Sequence, residues 1–261
     1  MLGKLLKYEI PAMGRKMLPL YAAWAVTALV LGLSAQTADS KSEFMVVISA
    51  LLYTAIATAI FVMTVIMIIQ RYSSSLLGDE AYFNHVLPVT AAEHIGNKLI
   101  SATLWVFVTI LVAVLTALLI ALGAIIAGAA DGLTLRGLIQ ALFEVDFDLP
   151  NHFGLAMIET LILFVGSVVK TVMQIYAAVT VGHQVQNHTT LASIGAYILV
   201  LIFESSVGRL MMPLFMNVQY YVDGFINFNR IFVPVLLAEI AFSAVYFFIC
   251  KYLMEKRLNL A

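Results

Sequence analysis

Leu99–Gly128 reads LISATLWVFVTILVAVLTALLIALGAIIAG, thirty residues without one charged side chain. At about 1.5 Å of rise per residue, some 20 mainly apolar residues cross a hydrocarbon core of roughly 30 Å. The run is too long for a barrel strand and too apolar for a soluble helix. Five further stretches share its character: Met17–Gln36, Phe44–Ile69, Phe153–Val181, Leu191–Met212 and Ile231–Cys250. Over all 261 residues, 62% are hydrophobic and only 11% charged, where soluble domains carry about 25% charge. A lipid-facing backbone must satisfy its own hydrogen bonds, so the expected fold is all-α, a six-transmembrane-helix bundle.

The first apolar stretch has span length and no small-residue cleavage site, so it reads as a span and not as a cleaved leader. The single cysteine, Cys250, forms no internal disulfide. Lysine and arginine placement sets the orientation. Nine (Lys4, Lys7, Arg15, Lys16, Arg71, Lys98, Lys251, Lys256 and Arg257) fall on the side of the termini. Four (Lys41, Arg136, Arg209 and Arg230) fall opposite. Both termini are expected in the cytoplasm of a bacterial cell, in a multi-pass cell-membrane protein. No basic cluster speaks for nucleic acid.

Residues 1–16 place Leu2, Leu5, Leu6 and Met13 on one helical face, which fits an interfacial helix; a basic leader that only sets topology is the other reading. Pro11 and Gly14 are expected to loosen the chain before the first span. Ala25, Ala28 and Gly32 form a small-residue stripe suited to close helix packing, within the chain or between subunits. The segments 130–152 and 213–230 fall outside the cell. The first is either an amphipathic surface helix or a solvated acidic loop, and the second is rich in headgroup-seeking aromatics.

Between spans two and three lies Arg71–Lys98, RYSSSLLGDEAYFNHVLPVTAAEHIGNK. Gly78 permits a turn, and Asp79 and Glu80 can cap a short helix. Tyr82, Phe83, Val86 and Leu87 form an apolar cluster, and Pro88 ends it. Thr90-Ala91-Ala92-Glu93 has the form of a capping box, so the third helix starts before its apolar run. Apolar side chains beyond the membrane need cover: a partner's groove, the membrane face or the leader.

Extended to Trp105, this run resembles the Gly-Asp-Glu-x-Tyr…Leu-Pro-Val-[Ser/Thr] loop of permease subunits of type-2 ABC exporters. The likeness extends to the leader LLKYEI and the turn at Gly182-His183. In layout it covers most of the chain, as a single transmembrane domain over 1–261. The resemblance implies a cytoplasmic coupling helix in 71–98 that seats in a separate ATPase, with Gly78, Asp79, Glu80, Tyr82, Phe83, Leu87 and Pro88 as the contact. It also implies a second permease subunit (the same chain or a related one), surrounding lipid, and an amphiphilic substrate such as an antimicrobial peptide, a lipid or a hydrophobic drug. The chain has no G-x-x-x-x-G-K-[ST] loop, so no cofactor is expected in it, and ATP and Mg belong to the partner. It is not expected to be an enzyme.

Glu159, Lys170, Glu204 and Glu239 fall inside the spans. A central charge there costs about 2.5–3.5 kcal/mol on insertion scales, so lipid exposure of all four is disfavoured. Glu159 and Lys170 share a helix face but lie too far apart to bond; each is free to meet Glu204 or Glu239. Three readings stand: a translocation pathway, interhelical polar contacts, or snorkelling ends. The first also suits an ion- or proton-coupled secondary transporter, and a membrane-embedded enzyme or scaffold is a third class. The five histidines show no metal-ligand spacing, and no G-x-S-x-G elbow is present.

Overall fold

A computed structural model describes residues 2–34, 40–78, 90–128, 153–185, 187–216, 221–222, 225–226 and 228–256. Among the described residues there are six long helices: α1 (Leu2–Ser34), α2 (Ser40–Leu76), α3 (Ala91–Ile126), α4 (Phe153–Gly182), α5 (Thr189–Met216) and α6 (Phe228–Lys256). All six are long and apolar enough to cross a membrane, as a multi-pass membrane protein requires. Ahead of α6 two short strands, β1 (Tyr221–Val222) and β2 (Phe225–Ile226), pair antiparallel, with Tyr221 opposite Ile226.

The helices outrun their apolar stretches. α2 continues past Ile69 to Leu76 because Tyr72 and Leu76 are both fully buried, so six residues assigned to the 71–98 loop are helical. α3 takes up Ala91–Lys98, with Ile95 fully buried. Arg71 and Lys98, counted above as loop charges, therefore sit on helices.

The expected break at Pro11 and Gly14 is absent, and α1 is one helix through Pro11 and Pro19. Packing holds it: Met13 and Met17 are buried, and a Cβ on Gly14 would lie 3.2 Å from the Trp105 indole. No boundary at residue 16 separates an interfacial helix from the first span.

The described residues form two compact units. One takes its residues from Leu6–Met67 and Leu104–Asp148. Its core is Met13, Met17, Tyr21 and Trp24 of α1, Ile60 and Met67 of α2, and Trp105 of α3. Polar groups on these apolar helices find one another. Tyr21 bonds Thr109 at 2.6 Å, Tyr53 bonds Thr116 at 3.1 Å, and Ser34 bonds Ser49 at 2.8 Å. The small-residue stripe packs inside the chain: Ala28 is fully buried, and Gly32 lies against Ile120 and Gly123 of α3.

The other unit takes its residues from Met1–Leu5, Ile68–Thr103 and Leu149–Ala261. α4 is its hub, burying Val172, Met173, Tyr176, Ala177, Ala178, Val179 and Thr180 and packing on α5 and α6. The α4–α5 connection is tight because Gly182 has no Cβ: one built there would strike Ser193. No residue of α5 from Thr189 to Met211 is buried.

Candidate functional site

Thr90 and Glu93 fix one foot of the 71–98 connection. The Glu93 amide donates to Thr90 Oγ1 at 3.3 Å, and Thr90 donates its amide to Glu93 Oε2 at 3.0 Å. The capping box read from the sequence is therefore formed, and it sets the start of α3 at Ala91. The other foot is the end of α2, where the amides of Leu77 and Gly78 both donate to the Ser73 carbonyl. Gly78 sits in that bend, as expected. Asp79, Glu80, Tyr82, Phe83, Leu87 and Pro88 lie outside the described residues.

Both feet are tied to α4. The Tyr72 and Tyr176 rings stack at 4.0 Å between centroids with 9° between planes. Aromatic pairs add about 0.5–1.5 kcal/mol beyond area burial. Thr180 gives its hydroxyl proton to the Tyr176 carbonyl at 2.7 Å, which leaves Tyr72 as donor in their 2.8 Å bond. Tyr176 donates to the Lys98 carbonyl of α3 at 3.0 Å. α6 closes the group: Cys250 Sγ lies 3.8 Å from Thr180 Oγ1, and Met254 Sδ lies 4.0 Å from the Tyr72 hydroxyl.

His183, just past α4, adds a second tie. Its Nδ1 donates to the Val179 carbonyl at 2.9 Å, which assigns Nε2 as acceptor of the Ser73 hydroxyl at 3.1 Å. Both feet of the connection are thus bonded to the last turns of α4 and the residue just past it.

Farther along α4 a second polar group forms. Lys170 Nζ of α4 donates to Glu204 Oε2 of α5 at 3.0 Å, with side chains 23% and 12% exposed. The Tyr246 hydroxyl of α6 donates to the other oxygen of the same carboxylate. Phe242 stacks on Tyr246 and meets Phe203 edge-on, so the Tyr246 phenol stands in a row of aromatic rings. Two charges and a phenol are paired across three apolar helices, which avoids the cost of leaving each alone.

Glu239 of α6 is close enough for Lys170 to act on it electrostatically, but it forms no ion pair with it. Its Oε2 is buried and has no hydrogen-bond partner. It lies against Gly166 of α4, one turn before Lys170, where a Cβ would collide with it. Glu159 is not part of the group; it is half-buried and makes no bond with the described residues. Of the four intramembrane charges singled out in the sequence, three are brought together and one is not.

Tyr72, Tyr176, Thr180 and Tyr246 escaped sequence reasoning, and the sequence marks His183 only as part of a turn. Their common signal is a polar tip inside an apolar run, which needs a buried partner wherever it lands. Which partner is a matter of helix register, and that is settled only by packing. Compared with known protein families, curated proteins and solved structures, the chain matches none.

Proposed function

We propose that the chain is the permease subunit of an ATP-driven exporter of the type-2 ABC kind, in a bacterial cell membrane with both termini cytoplasmic. It forms half of the pathway with a second permease subunit. The 71–98 connection is the coupling element, docking through Asp79, Glu80, Tyr82, Phe83, Leu87 and Pro88 on an ATPase that holds ATP and Mg. Closure of the ATPases pushes the connection, its two feet move, and α4 and α6 follow.

One observation carries this reading. The ends of the connection are welded to α4 by the Tyr72–Tyr176 stack, the Tyr176–Lys98 bond and the Ser73–His183 bond. A loop serving only to join two spans has no need of a hydrogen-bonded base that includes fully buried Tyr72 and Thr180. The greasy helices suit an amphiphilic substrate better than a sugar or a free ion, and lipid covers their outer faces.

The test is co-purification with a candidate ABC ATPase, using wild type and the triple variant Tyr82→Ala/Phe83→Ala/Leu87→Ala. Loss of association with the chain still folded supports the docking role. Unchanged association together with unchanged ATP-driven transport overturns it.

A further inference from the structure

The polar group on α4, α5 and α6 does not balance its charges. Lys170 is one positive charge; Glu204 and Glu239 are two carboxylates. Glu204 is satisfied on both oxygens, by Lys170 and by the Tyr246 hydroxyl. Glu239 is the remainder. Its Oε2 is buried against the α4 backbone at Gly166, with no donor in reach.

A carboxylate whose Oε2 is buried without a donor is costly in an apolar bundle, and the group as a whole is short of one positive charge. Oε2 lies against the α4 backbone at Gly166, where a Cβ would already collide with it, so that side leaves little space for a hydrated cation or an organic ammonium. A proton needs no room. Lys170 of α4 is the ionisable group that acts on Glu239, and Lys170 is in turn paired with Glu204 of α5, whose other oxygen accepts from Tyr246 of α6. Ser243 donates to the Glu239 backbone carbonyl and leaves the carboxyl alone.

We propose that Glu239 is a proton-binding site within the helix bundle, and that its occupancy sets the partner of Lys170. With the proton bound, the carboxyl is neutral and Lys170 is held by Glu204, tying α4 to α5. When the proton leaves for water, Glu239 becomes a second anion one helical turn from Lys170's station, and α4 is drawn toward α6. Nothing else is consumed in the step: one proton is taken up and one released. The site works without nucleotide and does not rest on an ATPase partner.

The purified full chain in lipid nanodiscs tests this by infrared difference spectroscopy across a pH titration. The readout is the carbonyl-stretch band of a protonated carboxyl group, which a carboxylate lacks. Wild type is expected to keep one such band at neutral pH, where the exposed carboxyls among the chain's 15 Asp and Glu are ionised, and to lose it as the pH is raised. Glu239→Gln, nearly the same shape beside Gly166, removes it, while circular dichroism stays helical. Glu204→Gln frees Lys170 to pair with Glu239 and weakens the band at a given pH. Lys170→Met leaves both carboxyls without a cation and strengthens it. Glu239→Asp keeps a titrating band with a displaced midpoint and serves in place of Glu239→Gln if that variant does not fold. A band untouched by both Glu239 variants, or no titrating band in wild type, overturns the proposal.

Discussion

Tyr176 shows how much one side chain can do inside an apolar helix. Its ring stacks on Tyr72, and its hydroxyl reaches the Lys98 carbonyl of α3 at 3.0 Å. Tyr176→Phe keeps the stack and deletes one buried hydrogen bond. The expected loss is about 1 kcal/mol, read as a lower midpoint of chemical unfolding in detergent. Thr90→Ala removes the cap of α3 and is expected to cost about 1 kcal/mol by the same measurement. These residues differ in how readable they were. Thr90 and Glu93 announce themselves by spacing alone, because a capping box is local. Tyr72 read as part of a loop, since the polar run Ser73–Ser75 hides the fact that its neighbours along the helix, Ile68 and Leu76, are buried.

At the level of elements, hydropathy located all six helices but not their ends. Apolar windows stop where polar residues begin, whereas α2 and α3 continue as long as a buried face recurs every three or four residues. Pro11 misled for a related reason. A proline disfavours an isolated helix, yet Met13, Met17 and Trp105 hold α1 together around it. The Gly32–Gly123 crossing is where sequence pattern and packing agree. There a Cβ on Gly123 would fall 2.8 Å from the Gly32 Cα, backbone against backbone, with no flexible atom to yield. Gly123→Val is expected to destabilise the chain by about 1–3 kcal/mol. Gly166→Ala meets only the movable carboxyl end of Glu239 and should cost less; thermal unfolding of the two variants side by side checks the order. For the Lys170–Glu204 pair, Lys170→Met strands two carboxyls, whereas Glu204→Met leaves Lys170 able to turn to Glu239. Lys170→Met is therefore expected to be the less stable of the two in chemical unfolding in detergent.

For the whole molecule the useful prediction concerns sidedness. Cysteines introduced at Asp79 and at His152 should react with an impermeant thiol reagent from opposite faces of the membrane, Asp79 from the cytoplasm. Labelling of Asp79→Cys from outside the cell would end the coupling proposal at once. The bundle class was legible from composition, because 62% hydrophobic residues in a chain of this length leave no soluble alternative. The candidate site was legible only in part. Lys170, Glu204 and Glu239 stand out as charges in greasy runs, but their assembly depends on α4 lying between α5 and α6, and nothing in a linear chain displays that. Glu159 stands out equally and joins nothing among the described residues, which shows that an intramembrane charge signals expense without naming a use.

Cys250 has no exposure at all, shut beneath Thr180 and Tyr72. The native chain therefore carries a silent sulfur. Thiol dyes should ignore it until α6 peels away, so its labelling rate under rising denaturant is a built-in clock for the loosening of that helix, with no engineering needed.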